Sequence, residues 1–279
     1  MSIKIVTDST SDISPEVAHA LGITVVPIYV RFGDEVYRDG VDISNAGFYH
    51  KLATSFVHPS TSPPTPQDFA NVYSDCSKEA EEIVSIHISG KISGTYNSAR
   101  QGKKMAKEKR QIEIIDSHFI SIGLALVVMR AARLAKTGES LECILEETRK
   151  TINQVQMLGI FDTLKYLVLG GRVSKATAAI ADIFQIKPVL TSKNGEIVRA
   201  GLVRTYSRGM DRLYEFVADR LNIQDLAIAH STVPEQASQL KARLNSIFPE
   251  EKIHVAQIGA ALGVHGGPKV LVLAFRQGE

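Results

Sequence analysis

The sequence predicts an α/β fold, built as two α/β domains with a mainly parallel sheet in the amino-terminal one. Short β-branched runs alternate with helical patterns through residue 138, as expected for strand–helix–strand units. Apolar residues make up 44% of the chain and charged residues 22%, which is typical of a globular protein with an ample core. The 279 residues suit one large domain or two of ordinary size.

The first domain alternates strands and helices. Its predicted strands are IKIVTDST (3–10), ITVVPIYV (23–30), EEIVSIHIS (81–89) and IEIID (112–116). Its predicted helices span residues 14–22, 95–109, 118–138 and 141–153. The first helix carries its end signals, with Ser14 as N-cap, Pro15 at the first position and Gly22 as the stop. Ligands of parallel sheets lie beyond the carboxyl ends of the strands, so the loops Asp8–Asp12 and Ser89–Thr95 are expected there.

A second α/β unit is predicted after residue 155, which divides the chain into domains 1–155 and 156–279. The unit opens with residues 158–190 and continues with two strand-like runs in GEIVRAGLVRT (195–205). The remaining predicted elements are a helix at 207–221, strands at 226–231, 252–259 and 269–275, and a helix at 236–248. The proline-rich stretch 58–69 is too short to link domains and is predicted as a rigid surface loop.

Composition excludes several classes of protein. The net charge of +2 is too small to argue for nucleic acid, although residues 165–212 carry nine basic and three acidic side chains. The two cysteines lack CxxC spacing, which favours a reducing compartment over a disulfide framework. The amino terminus has no signal-peptide pattern, and no apolar stretch is long enough for a membrane helix. We therefore expect a cytoplasmic protein without an integral membrane segment.

The loop SGKISGTYNSA (89–99) places glycines and hydroxyls around one lysine. It is not a phosphate-binding P-loop, because Ile92 stands where that motif requires serine or threonine. It is not a nucleophile elbow, because Ser93 is flanked by Lys91 and Thr95 where that motif requires glycines. Two interpretations stay open: a plain helix cap formed by Ser93 and Thr95, or an anion site at the helix amino end.

Two further polar clusters precede helices. Thr61 and Ser62 form a hydroxyl pair in a loop that prolines hold in shape. Asp8 and Asp12 flank three hydroxyl residues, and they suit either a turn before the Ser14 cap or acid–base chemistry. No third ligand of suitable spacing accompanies the two carboxylates, so we expect no metal site.

Glycine-rich turns also present one histidine and one arginine. His265 is predicted in a turn just before the last strand, either as an ordinary polar residue or as a donor to a ligand oxygen. Arg172 follows two glycines and is a natural partner for an anion. Ser93, His265 and Asp8 could be read as a scattered catalytic triad, but nothing in their spacing supports that reading.

Taken together, blocks in register along nearly the whole chain resemble the DegV family. The blocks are DSTSD (8–12), TSPPTP (61–66), SGKISGTYNSA (89–99), FDTLKYLVLGGRVS (161–174), IKPVL (186–190), VRT (203–205) and HGGP (265–268). The resemblance implies two α/β domains with a lipid held between or beneath them, and no cofactor. It also implies a carrier without catalytic activity of its own, which presents a long-chain fatty acid to a separate, dihydroxyacetone-kinase-like fatty acid kinase. The acyl phosphate formed there would enter bacterial phospholipid synthesis.

By position, the resemblance assigns roles to individual residues. Thr61, Ser93 and His265 would hydrogen-bond the carboxylate of the fatty acid. Arg172 and Arg204 would lie at the mouth of the site, facing the kinase or the phosphate that it transfers. The loops around the head group would be formed by Ser62, Gly94, Thr95 and Gly267.

The chain departs from the family pattern at HGGPK (265–269), where the family more usually has His-Thr-Gly-Pro-Gly. Gly266 removes a hydroxyl, and Lys269 occupies a position where glycine freely adopts a positive φ. The lipid tunnel is expected in the apolar stretches 119–129 and 176–184. Their small residues are Gly123, Ala125, Ala178 and Ala179.

Two other functions compete with the carrier. A serine hydrolase or acyltransferase would use Ser93 as nucleophile and His265 as base. A regulator that binds nucleic acid or protein would rest only on the basic segment 165–212. Neither has a complete motif in the sequence.

Overall fold

The computed structural model describes residues 2–107, 110–173 and 186–278. These residues form thirteen strands in three sheets, with helices packed on them. The strands are β1 (Ile3–Asp8), β2 (Ile23–Val26), β3 (Tyr29–Phe32), β4 (Glu35–Arg38), β5 (Ser60–Ser62), β6 (Glu82–His87), β7 (Gln111–Asp116), β8 (Val155–Ile160), β9 (Lys187–Lys193), β10 (Glu196–Val203), β11 (Ile223–His230), β12 (His254–Gln257) and β13 (Leu271–Gln277).

Ten α-helices connect or cover these strands in the described ranges. They are α1 (Pro15–Leu21), α2 (Asn45–Thr54), α3 (Pro66–Cys76), α4 (Thr95–Met105), α5 (Ser121–Lys136), α6 (Leu141–Gln154), α7 (Lys165–Leu169), α8 (Tyr206–Ala218), α9 (Pro234–Leu244) and α10 (Ala260–Gly266). Single 3₁₀ turns span Ser9–Ser11 and Glu250–Lys252. None of the helices in these ranges combines the length and apolar character needed to cross a bilayer.

The amino-terminal sheet is parallel throughout, in the order β2-β1-β6-β7, which confirms the predicted strand–helix alternation. The predicted signals of α1 are also confirmed: the Ser14 hydroxyl accepts from the Val17 N–H, and Gly22 ends the helix at φ 66°. The carboxyl ends of β1 and β6 are neighbours in this sheet. The loops that begin at Asp8 and Ser89 therefore start side by side.

One predicted strand proves to be two strands in different sheets. Residues 23–30 were expected to be continuous, but β2 ends at Val26 and joins the parallel sheet, whereas β3 begins at Tyr29. Pro27 stands between them and has no N–H for a ladder hydrogen bond. Strand β3 pairs antiparallel with β4 and β5 in a separate three-stranded sheet, and β5 lies inside the predicted proline-rich loop.

The carboxyl-terminal sheet is mixed, in the order β10-β9-β8-β13-β11-β12. The stretch 195–205 forms the single strand β10 with an irregularity between Arg199 and Gly201, where two strand-like runs were expected. The segment with His265 forms the last part of helix α10, where a turn was predicted. Three glycines had favoured the turn, yet packing of the helix against α2 and β3 decides the local conformation.

Helix α5 lies between the two larger sheets. It packs against β1 and β6 of the parallel sheet and against β8, β11 and β13 of the mixed sheet. Ile122, Leu124, Val127 and Val128 on its different faces are all fully buried. A helix that is apolar all round is typical of such a central position. All strands of the mixed sheet lie within residues 155–277. The domain boundary near residue 155 remains a prediction from the sequence.

Lys269 adopts the left-handed conformation, with φ at 57°. This conformation costs an L-residue with a side chain about 1–2 kcal/mol relative to its usual regions, and glycine avoids the cost. We expect Lys269→Gly to raise the free energy of unfolding by about 1 kcal/mol and the melting temperature by about 2–4 °C. Lys193→Gly on the regular strand β9 serves as the control and should be neutral or destabilising. Equal changes in melting temperature for the two variants would show that the left-handed conformation of Lys269 does not destabilise the fold.

Candidate functional site

A polar cleft opens where the loops after β1, β5 and β6 meet helix α10. Its space, including its mouth, measures about 420 Å³. Its lining residues are Thr10, Ile28, Thr61, Ser62, Pro63, Ile88, Ile92, Ser93, Gly94, Arg172, Ala261, Leu262 and His265. Five of the residues that the family resemblance assigned to the head group thus line one cleft: Thr61, Ser62, Ser93, Gly94 and His265.

Thr61 and His265 are joined directly, although 204 positions separate them. The Thr61 Oγ1 lies 2.9 Å from the His265 Nε2. Burial, together with the nearby Arg172 and His58, lowers the pKa of His265 to about 4, and burial is the largest of the three causes. The imidazole is therefore neutral at neutral pH, and the cleft offers hydrogen bonds from this residue rather than a fixed positive charge.

The Ser93 side of the cleft is organised by a short hydroxyl turn. The Ser93 Oγ lies 2.8 Å from the Thr95 Oγ1 and accepts a hydrogen bond from the Thr95 N–H. Gly94, not a hydroxyl residue, occupies the N-cap position of α4, and no side chain caps this helix. Neither Ser93 nor Thr95 is therefore the N-cap residue of α4, although the Ser93 hydroxyl accepts from the first N–H of the helix. Thr95 is fully buried behind Ser93 and does not line the cleft.

Two glycines leave space for aromatic rings at the site because they have no side chain. A Cβ on Gly170 would lie 2.1 Å from the His265 Nδ1, so only glycine lets the imidazole stand where it does. A Cβ on Gly267 would lie 2.2 Å from the Tyr166 ring, and this residue has φ at 71°. Gly267 is outside the cleft lining and supports it from behind. The sequence offered no signal that distinguished Gly170 from its neighbour Gly171.

The two predicted arginines have different positions. Arg172 lines the cleft, and its Nη1 donates to the Gly170 carbonyl at 2.7 Å. Arg204 is exposed in the turn between β10 and α8, outside the lining of the cleft. The structure therefore brings Arg172 to the candidate site but not Arg204.

An apolar cavity continues from the polar cleft. Its space, including the open mouth, measures about 690 Å³. Its lining residues are Ile92, Ile120, Ser121, Met157, Gly159, Phe161, Leu167, Arg172, Leu190, Thr191, Ile197, Ile258, Leu262, His265, Gly266, Val270 and Val272. Ile92, Arg172, Leu262 and His265 line both spaces, so an elongated molecule could occupy both at once.

The tunnel prediction from sequence is only partly correct. Of the stretch 119–129, Ile120 and Ser121 line the cavity. The expectation that Gly123 leaves room for a chain is wrong, because Phe119 and the Met157 sulfur already occupy the space beside it. Ala125 is likewise buried in α5 outside the lining. The stretch 176–184, with Ala178 and Ala179, lies outside the described residues.

The structure does not assemble the catalytic alternatives. Asp8 pairs with His87, whose Nδ1 lies 2.9 Å from the Asp8 Oδ2, and not with His265. Hydrogen bonds within the described ranges join Ser93 to Thr95 and His265 to Thr61, but not Ser93 to His265. In the same ranges no group of three histidine, cysteine or acidic side chains is arranged to hold a metal ion.

Two buried aspartate side chains accept hydrogen bonds from the amino end of α10, the helix that carries His265. Asp12 accepts from the Gly259 N–H at 2.8 Å and from the Ser121 hydroxyl at 2.5 Å. Asp39 accepts from the Ala260 N–H at 2.9 Å. Burial raises the pKa of Asp12 to about 8, and its two hydrogen bonds offset the effect only in part.

The raised pKa of Asp12 predicts a stability that falls with pH. Between about pH 4 and 8 the folded protein keeps a proton on Asp12 that the unfolded chain releases. This stabilising contribution is complete below about pH 4 and is lost as pH rises to about 8. We expect the free energy of unfolding to fall in this window more steeply in the wild type than in Asp12→Asn, by up to about 1.4 kcal/mol per pH unit. Urea unfolding at pH 6, 7 and 8 measures both slopes, and parallel slopes would contradict the prediction.

Comparison with known proteins gives consistent matches over the whole chain. The family model described as an uncharacterised protein of the DegV family matches residues 2–277. A DegV domain-containing protein of Deinococcus radiodurans is 35% identical, over 99% of this chain and 98% of its own length. Another from Caldanaerobacter subterraneus is 32% identical, over 99% of each chain.

Solved structures are similar in fold over the same length. A DegV family protein from Thermus thermophilus, reported with fatty acid binding, has a TM-score of 0.90 and 32% identity, over 99% of this chain and 100% of its own. DegV from Bacillus subtilis, described as a fatty acid binding protein, has a TM-score of 0.91 and 29% identity over 100% of both chains. A stearic-acid-binding protein from Eubacterium ventriosum has a TM-score of 0.85 and 27% identity, over 99% and 98%.

Proposed function

Since this chain belongs to the DegV family, we propose that it binds a long-chain fatty acid. The acyl chain would occupy the apolar cavity, and the carboxyl group would lie in the cleft near Thr61, Ser93 and His265. The observation that carries the proposal is the continuity of the two spaces, which share lining residues at their junction. The fatty acid binding described for the proteins from Thermus thermophilus and Bacillus subtilis supports it.

The apolar cavity and the polar cleft would contribute different amounts to the binding free energy. Burial of an acyl chain contributes roughly 0.8 kcal/mol per methylene, or on the order of 12 kcal/mol for about 15 methylenes before ordering costs. Three hydrogen bonds at about 1–3 kcal/mol each contribute less. The cavity would therefore supply most of the affinity, and the polar cleft would set the position of the head group.

Native mass spectrometry of freshly purified protein, followed by lipid identification under denaturing conditions, tests the proposal. We expect a stoichiometric mass excess that resolves to a long-chain fatty acid. Thr61→Val should weaken the binding by about tenfold, because it removes the hydroxyl partner of His265 and keeps the shape of the side chain. Protein that is repeatedly empty and refuses added fatty acid would overturn the proposal.

The family resemblance supports a second step, in which the protein acts as a non-catalytic carrier. It would present the bound fatty acid to a separate, dihydroxyacetone-kinase-like fatty acid kinase in the cytoplasm. The kinase would phosphorylate the carboxyl group, and the acyl phosphate would serve phospholipid synthesis. The position of Arg172 at the junction of cleft and cavity suits a contact with the kinase or its phosphate.

We expect Arg172→Glu and Arg204→Glu to keep fatty acid binding within about threefold of the wild type, because the apolar cavity supplies most of the affinity. Both should slow phosphorylation by a cognate kinase at least tenfold: Arg172→Glu because it would replace the cation beside the transferred phosphate, and Arg204→Glu because it would weaken docking of the kinase outside the cleft. Binding is measured by isothermal titration, and phosphorylation by acyl phosphate formation. Arg243→Glu is the control, since this arginine of α9 pairs with Asp211 of α8 and lines neither the cleft nor the cavity. A loss of lipid binding as large as that of a cavity variant would overturn the assignments.

A further inference from the structure

A chain of buried hydrogen bonds leads from the core to the polar cleft. The Tyr73 OH lies 2.9 Å from the Ser85 Oγ, and the Ser85 Oγ lies 2.6 Å from the His87 Nε2. The His87 Nδ1 lies 2.9 Å from the Asp8 Oδ2, and the Asp8 Oδ1 accepts from the Thr10 hydroxyl. Tyr73, Ser85, His87 and Asp8 are fully buried, and Thr10 alone among the five lines the cleft.

The order Ser85, His87, Asp8 has the geometry of a catalytic triad, but it has no access for a substrate. All three side chains are completely buried beneath the loops that follow β1 and β6. In the described part of the chain, the hydrogen bonds from Ser85 lead through His87 to Asp8, which accepts from two cleft-lining residues, the Thr10 side chain and the Ile88 backbone N–H. The side-chain network therefore reaches the cleft through Thr10.

Asp8 accepts hydrogen bonds from Thr10 and from the Ile88 N–H. Its Oδ1 accepts from the Thr10 N–H and its Oδ2 from the Ile88 N–H, at 3.1 Å each. The Thr10 hydroxyl donates to the same Oδ1, and the His87 Nδ1 lies 2.9 Å from the Oδ2. The proton of Thr10 is committed to Asp8. The Thr10 oxygen can then only accept further hydrogen bonds, so Thr10 acts as an acceptor in the cleft.

We infer that Thr10 is a further head-group residue, and that it accepts a hydrogen bond from the O–H of a ligand bound as the carboxylic acid. This inference rests on the proposed function and adds to it the protonation state of the ligand. A carboxylate has no proton to donate, and its oxygens would meet the lone pairs of Thr10. A carboxylic acid supplies the one donor that this acceptor lacks.

The electrostatics of the cleft point the same way. An ionised carboxylate that loses its water needs compensating charge or several donors. The neutral His265 carries no charge, and the Ser93 hydroxyl already pairs with Thr95. Arg172 lines the cleft and its charge acts on His265, but its side chain is exposed to solvent and donates to the Gly170 carbonyl. Burial in such surroundings favours the neutral acid over its anion.

Three ligands with the same tail test the role of Thr10: hexadecanoic acid, hexadecan-1-ol and methyl hexadecanoate. The first two carry an O–H and the ester does not. We expect Thr10→Val to weaken the acid and the alcohol by about tenfold, the value of one hydrogen bond, and to leave the ester within twofold. Thr7→Val is the matched control. Thr7 is fully buried on β1, its Oγ1 has no hydrogen-bond partner in the described ranges, and it is outside the cleft lining.

The outcomes separate this inference from the proposed function. Equal weakening of all three ligands, or no change with any of them, would overturn the role of Thr10. Wild-type protein that binds none of the three would overturn the proposed function, and this inference with it.

A second measurement uses only the wild-type protein, so it tests the protonation state of the ligand even if Thr10→Val does not fold. Hexadecanoic acid labelled with ¹³C at its carboxyl carbon is bound to the wild type at pH 7. We expect its resonance at the position of the protonated acid. A resonance at the position of the carboxylate would overturn the inference.

Discussion

Gly266→Phe should weaken the binding of a 16-carbon fatty acid by at least a hundredfold and shift the preference of the protein to shorter chains. A Cβ at Gly266 points towards Val270 and Phe161, at 3.4 and 3.8 Å, and all three residues line the apolar cavity. A phenyl ring in this position takes space that the acyl chain would use. Exclusion of four methylenes costs about 3 kcal/mol, which is about a hundredfold in affinity.

Isothermal titration with fatty acids of 8 to 18 carbons measures the effect. Gly201→Phe is the control, because a Cβ there has no neighbour within 4 Å among the described residues, and it should bind as the wild type does. Gly266→Thr, the residue more usual in the family, meets only an ordinary contact with Val270 and should keep the binding of the long chain. Unchanged affinity of Gly266→Phe for the 16-carbon acid would show that the tail lies elsewhere.

Gly263→Ala should lower the free energy of unfolding by about 1–3 kcal/mol. A Cβ at this position would lie 2.4 Å from the Phe48 ring and 3.0 Å from the Tyr49 OH, so α10 must move away from α2. The Tyr49 OH donates to the Ile258 carbonyl at 3.0 Å, just before this helix. Because α10 also carries His265 and Leu262, we expect weaker fatty acid binding as well.

Gly266→Ala on the same helix separates steric strain from helix propensity. Its Cβ would make only an ordinary contact, and alanine is favoured over glycine in a helix by about 1 kcal/mol. This variant should be neutral or stabilising, while Gly263→Ala melts about 2–10 °C lower. Thermal unfolding of the two variants side by side measures the difference. Equal melting temperatures would mean that α10 tolerates a shift against Phe48.

Much of the first half of the fold was predictable because its signals are local. The cap at Ser14, the stop at Gly22 and the strand–helix alternation each depend on neighbouring residues. The hydroxyl clusters at Thr61 and Ser93 were also visible in the sequence. Their place in one cleft with His265 was expected from the family resemblance, and the structure brings them together.

The sequence by itself thus determined the fold class, the parallel amino-terminal sheet and most of the polar residues of the candidate site. Tertiary structure alone decided the conformation around His265, the contact of Gly170 with its imidazole and the raised pKa of Asp12. It also decided that Thr10, seen only as part of a polar cluster, faces the cleft with its proton committed to Asp8. The physical reason is sequence separation. Caps and turns depend on a few adjacent residues, whereas hydrogen bonds and burial between segments up to 247 positions apart depend on how the whole chain packs.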